Sequence, residues 1–118
     1  MSAPLVAVVD DDARIRDLLA AELEDLGAEV LRYRDGSDLL NAVQLSEVQL
    51  VLLDWMMPGL NGEATLLGLR ARQFSGRVVV VTALCDPQVQ ATAQSAGAAA
   101  TLLKTEALEQ LEHWLNLG

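Results

Sequence analysis

Basic residues are scarce in this chain: 8 lysines and arginines stand against 17 aspartates and glutamates, a formal net charge of −9 over 118 residues. Direct nucleic-acid binding wants a basic face, so that class is set aside. An acidic balance suits solubility, a cationic partner, or a cation site within the protein itself. A single cysteine, Cys85, excludes an internal disulfide and fits a reducing compartment. It follows Thr82 in a loop with no basic neighbour in sequence to activate it, so it reads as incidental. One histidine, His113, cannot build a zinc site. No apolar run approaches the roughly 18 residues of a membrane span. Met1 to Val9 lacks a basic start and Asp10-Asp11-Asp12 cuts its apolar stretch short, so it is not read as a signal peptide. A cytoplasmic location, away from the membrane, is therefore expected. A glycine-rich turn after the first apolar run is also missing, which removes a dinucleotide-binding reading. With 52% apolar residues and no linker or low-complexity stretch, residues 1–118 are expected to form one domain with a real core.

What is present is organised around residues 50–62. Leu50, Val51, Leu52 and Leu53 run straight into Asp54, and Pro58-Gly59 and Asn61-Gly62 follow. A short continuous apolar run reads as a strand buried on both faces, and the Pro/Gly pairs mark a tight loop. A lone carboxylate at such a strand end is costly unless a cation or a chemical role accounts for it.

The rest of the chain repeats the pattern. Strands are expected over 5–9, 29–33, 78–81 and 100–103, the second more polar and so at the sheet edge. Ile15, Leu19, Leu23 and Leu26 recur at helical spacing, with Asp12 as N-cap and Gly27 as stop. Asp35-Gly36-Ser37 turns into a short helix carrying Leu39, Leu40 and Val43. A third helix spans 63–72 and Gly76 breaks it; Asp86-Pro87 opens a fourth, closed by Gly97. Thr105 is expected to cap a last helix in which Leu108, Leu111 and Leu115 align. His113 falls on the polar side of that helix. Five strand–helix units with short joints predict an α/β fold, a doubly wound five-stranded parallel sheet with helices on both faces.

In such a sheet ligands bind beyond the carboxyl ends of the strands. The residues there are Asp10 and Asp11 from the first strand, Asp54 from the third, Thr82 from the fourth and Lys104 from the fifth. Carboxylates that close raise one another's pKa unless a cation intervenes. Oxygen-only ligands with room for water suit Mg2+. Taken alone, Asp10, Asp11 and Asp12 read as a solvated turn capping a helix; the other strand ends reverse that for the first two and leave Asp12 as a cap.

This pattern resembles the response-regulator receiver domain of bacterial two-component signalling, over essentially the whole chain. The residues that carry the likeness are the acidic pair Asp10-Asp11, the segment from Asp54 through Met57-Pro58 to Asn61-Gly62, Thr82, and Lys104. The resemblance implies the flavodoxin-like strand order 2-1-3-4-5. It implies that Asp54 accepts a phosphoryl group from a phosphohistidine on a histidine kinase or histidine phosphotransfer protein. Asp11 would then bind Mg2+ directly and Asp10 directly or through water, with Asp54 and the Met56 carbonyl completing the protein ligands. Lys104 and Thr82 would contact the phosphoryl oxygens, and the chain would catalyse only its own phosphorylation and dephosphorylation. The face bearing Arg14 and Asp17 is where the family docks its histidine-bearing partner, and a homodimer is a further option.

Two positions depart from the family pattern. Thr105 follows Lys104 where proline is usual, so the bond between them is expected to be trans rather than cis. Thr101 stands where the family has an aromatic switch, so the readout of phosphorylation is expected to pass into the loop over 83–86 and the helix after it. An interaction module indifferent to phosphate stays open beside the receiver reading. So does a phosphohydrolase using Asp54 as nucleophile, although Met56 occupies the place of its second acid.

Overall fold

The computed structural model describes residues 3–84 and 86–116, which leaves Cys85 outside the described residues. Five strands, β1 (Leu5–Val9), β2 (Glu29–Tyr33), β3 (Leu50–Asp54), β4 (Arg77–Thr82) and β5 (Ala100–Leu103), alternate with five helices. The helices are α1 (Ala13–Asp25), α2 (Gly36–Leu40), α3 (Gly62–Ala71), α4 (Pro87–Ser95) and α5 (Ala107–Asn116). All pairings are parallel, in the order β2-β1-β3-β4-β5.

Period-two alternation divides the strand residues between two cores. Ala7, Val9, Val51, Leu53, Val78 and Val80 face Leu39 of α2, Leu66 and Leu69 of α3, and Ala93 of α4. Val6, Val8, Leu50, Leu52, Val79 and Val81 face Leu19 and Leu23 of α1 and Ala107 and Leu111 of α5. Two helices therefore cover one face and three the other, which is why β3 is buried at every residue. The polar β2 is an edge strand, as its composition requires.

Each helix that follows β1, β2, β3 or β4 begins at an Asx cap. Asp12, Asp35, Asn61 and Asp86 accept from the amides of Arg14, Asp38, Ala64 and Val89 at 2.8–3.0 Å. Such caps contribute about 1 kcal/mol each and fix where each loop stops. Pro87 at the first helical position of α4 completes the expected start, and Gly27 and Gly97 follow α1 and α4 at positive φ.

The structure corrects three local expectations. Val43 is not part of α2: that helix ends at Leu40, where Asn41 donates its side chain and its backbone amide to the Ser37 carbonyl, and Val43 lies 98% exposed before a 3-10 turn at Leu45–Glu47. Helix α3 stops at Ala71, ahead of Gly76, and Gln73 takes the left-handed conformation at φ 57°. Thr105 does not cap α5. The helix starts at Ala107, and the Glu106 carboxylate folds back to accept from the Leu103 amide at 3.0 Å. No described peptide bond is cis, the Lys104–Thr105 bond included. Among the described residues no helix is long and apolar enough to cross a membrane.

Candidate functional site

A parallel sheet in this register brings the carboxyl ends of its strands to one edge. Val9 pairs with Leu53, Asp54 with Val81, and Thr82 with Leu103. Asp10, Asp54, Thr82 and Lys104 consequently emerge side by side, and Asp11 joins them from the loop into α1. One carboxylate oxygen from each of Asp10, Asp11 and Asp54 lies within 4.8 Å of the other two. Asp10 and Asp54 are buried, 2% and 4% exposed, whereas Asp11 faces solvent.

Lys104 reaches across from the end of β5. Its Nζ lies 3.1 Å from Asp10 Oδ2 and 3.5 Å from Asp54 Oδ1. Burial works to lower the ammonium's pKa, but the two carboxylates outweigh it and the net shift is upward. Lys104 is thus a fixed cation. The Asp54 carboxyl is displaced further, from 3.8 to about 7. Burial is the largest cause, Asp10 adds to it, Lys104 opposes it, and Asp11 contributes the rest. One ammonium does not balance three carboxylates. An all-oxygen donor set that holds a proton on Asp54 near neutrality fits a divalent cation of the Mg2+ type.

Asp10 is engaged at every polar atom. Its amide donates to the Tyr33 carbonyl at 3.1 Å, and its Oδ1 accepts from the Asp12 amide at 2.9 Å. Oδ2 faces Lys104, and its carbonyl accepts from Arg16 Nη1 at 2.8 Å. Arg16 was not singled out from sequence. The signal available was its place in the first turn of α1, since long helical side chains lean toward the amino end.

Thr82 is buried at the strand end, but its hydroxyl is turned onto its own loop. Oγ1 donates to the Leu84 carbonyl at 3.2 Å and accepts from the Leu84 amide at 3.3 Å. Met56 sits two residues past Asp54 and is 74% exposed. The loop carrying it is closed by the Gly62 amide donating to the Trp55 carbonyl at 3.0 Å. A Cβ on Gly62 would stand 2.8 Å from Trp55 Cα and 2.9 Å from the Asp54 carbonyl oxygen. Both are backbone atoms beside the site. Gly62→Ala should therefore displace this backbone, lower stability by roughly 1–3 kcal/mol in urea titration, and slow any reaction at Asp54. Unchanged stability would show that the loop yields freely.

The family profile of the response regulator receiver domain matches residues 6–116 of this chain. A probable transcriptional regulator, ycf27, of Cyanophora paradoxa is 35% identical over 107 residues, covering 91% of this chain and 44% of that protein. The sensor protein GacS of Pseudomonas syringae is 40% identical over 86 residues, covering 69% of this chain and 10% of that protein. The chain thus spans less than half the length of these curated relatives. Among solved structures, the receiver domain of Francisella response regulator 1452 superimposes with a TM-score of 0.87 at 26% identity, covering 97% of this chain and 94% of that one.

Proposed function

The chain belongs to the response regulator receiver domain family of two-component signalling, and on that premise we propose that Asp54 is its phosphoryl acceptor. One observation carries the reading: Asp54 closes the central strand, buried, with an acidic pair on one side and the only lysine of the chain on the other. The donor is a phosphohistidine on a histidine kinase or histidine phosphotransfer protein, a choice supported by the likeness to a segment of a sensor protein. A carboxylate oxygen of Asp54 forms the new P–O bond as the P–N bond of the phosphohistidine breaks, and the imidazole nitrogen takes a proton from solvent. The product is an acyl phosphate, labile enough to serve as a signal.

Receiver domains bind Mg2+ at an acidic pocket, and here Asp11, Asp54 and the Met56 carbonyl would hold it, with Asp10 beside them. When bound it supplies charge neutralisation for the phosphoryl oxygens. Lys104 contributes a second cation already aimed at Asp54, and Thr82 reaches the phosphoryl group by exchanging its bonds with Leu84 for one to a phosphoryl oxygen. The exposed thioether of Met56 carries no proton for hydrolysis of outside substrates, so the chain acts on itself alone. Its readout, with threonine at 101, runs through the loop after Thr82 and α4.

Incubation with a small phosphodonor and Mg2+, followed by intact mass, tests the proposal. One added phosphate is expected; its absence, with Mg2+ bound, would leave an interaction module in its place. Cation affinity should also depend on pH. The proton on Asp54, whose pKa is about 7, must leave before the carboxylate can bind a cation. Affinity should rise roughly tenfold from pH 6 to 7.5 and level off above. A flat profile over that range would contradict it.

A further inference from the structure

We infer that Arg16 is a positioning residue for the divalent cation: its bond to the Asp10 carbonyl fixes the backbone that presents Asp11. The inference rests on the cation reading above. Asp10 and Asp11 are joined by one peptide unit, and the carbonyl of that unit is the atom Arg16 Nη1 holds at 2.8 Å. Every other polar atom of Asp10 is also occupied, by Tyr33, Asp12 and Lys104. Asp10 is therefore an anchor. Asp11 is the exposed member of the pair, with its carboxylate in the cluster and its direction set by the peptide before it.

Arg16 stands where the helix dipole disfavours it. A cation in the first turn of a helix opposes the positive end of the helix dipole. Arg14, in the same turn, is fully exposed and tied to the cap residue Asp12 at 3.6 Å. Arg16 instead is half-buried and spans back past the cap to the main chain of the site. The tilt of helical side chains toward the amino end explains the reach. The bond is made to a carbonyl, so Arg16 contributes geometry, whereas its charge works against a cation nearby.

That opposition gives the test a sign. Mg2+ affinity of the full chain is measured by calorimetry for the parent, Arg16→Gln, Arg16→Lys and Arg14→Gln, with thermal melts beside each. Loss of a positive charge by itself tightens cation binding, and Arg14→Gln should match the parent or bind slightly tighter. Arg16→Gln should bind roughly tenfold weaker, the range seen when an outer partner of a metal ligand is removed. Arg16→Lys keeps a donor and should recover most of the loss. If Arg16→Gln binds as tightly as the parent or tighter, whatever its melting temperature, the inference is wrong. A parent chain that binds no Mg2+ would end both this inference and the cation reading. A parent that binds normally beside an unaffected Arg16→Gln ends only the former.

Discussion

Asp54→Asn is expected to abolish phosphate incorporation and, in the metal-free protein at pH 8, to raise the melting temperature. The two effects have one origin. The Asp54 carboxylate is buried beside Asp10 and Asp11, and its pKa moves from 3.8 to about 7 on folding. Between those values the folded chain holds a proton that the unfolded chain has lost, so stability falls as pH rises from about 4 to 7 and stays low above. A displacement of that size corresponds to about 4 kcal/mol, and solvent at the site mouth screens part of it, leaving roughly 1–3 kcal/mol. Asparagine has no charge to bury, so its stability should be flat across this window. Melts at pH 5 and pH 8 check it: the variant's advantage should be full at pH 8 and shrink by about half or more at pH 5. A variant that incorporates phosphate, or that melts below the parent at pH 8, would refute the assignment.

Lys104→Met should have the opposite sign on stability. The Lys104 side chain is 20% exposed and its ammonium lies between two buried carboxylates, and removing one partner of a buried pair costs about 3–5 kcal/mol. Its partial exposure reduces this to roughly 2–4 kcal/mol at neutral pH. Lys104 has a raised pKa, so its contribution is complete at neutral pH and is lost only as pH climbs through that raised value. At pH 5, where Asp54 keeps its proton, the cost of the variant should shrink. Combining Lys104→Met with Asp54→Asn should cost less than the sum of the two, because each removes what the other opposes. Phosphate incorporation should slow by about 10²-fold or more, the usual effect of losing a group aimed at developing charge. Because Lys104 is the chain's only lysine, isotopic methylation of amines gives one side-chain signal, separate from that of the terminal α-amine, and NMR reports the ammonium directly. A label titrating at or below the ordinary lysine range would contradict the ion pairs.

The site was legible in the sequence because of the sheet. Strands that run parallel and in register deliver their last residues to one edge, so Asp10, Asp54, Thr82 and Lys104 could be gathered without knowing any distance. Strand order was legible only through family resemblance, since periodicity says which face is buried and nothing about neighbours. The failures were local. Val43 continues a helical spacing, but after Asn41 the Ala42 amide bonds back only three residues, to the Leu39 carbonyl, and the chain leaves α2 before reaching Val43. Thr105 is a good cap by type, yet Glu106, one residue on, reaches the β5 end and moves the start of α5. Arg16 offered only its place in the first turn of α1, and its partner is a backbone atom that no residue pattern records. The same holds for Thr82, whose chemistry was readable while its resting bonds to Leu84 were not.

The strand order β2-β1-β3-β4-β5 has a consequence for the chain during its synthesis. The first strand made is an inner one, and its two neighbours, β2 and β3, are complete once Asp54 has left the ribosome. By then all three carboxylates of the site have been made, while the ammonium that balances two of them waits at the far end of β5. A nascent or prematurely ended chain carries the acidic half alone, where mutual repulsion discourages the cluster from closing. Charge balance thus makes the closed acidic cluster a property of the finished domain, since an incomplete copy lacks the ammonium that offsets it.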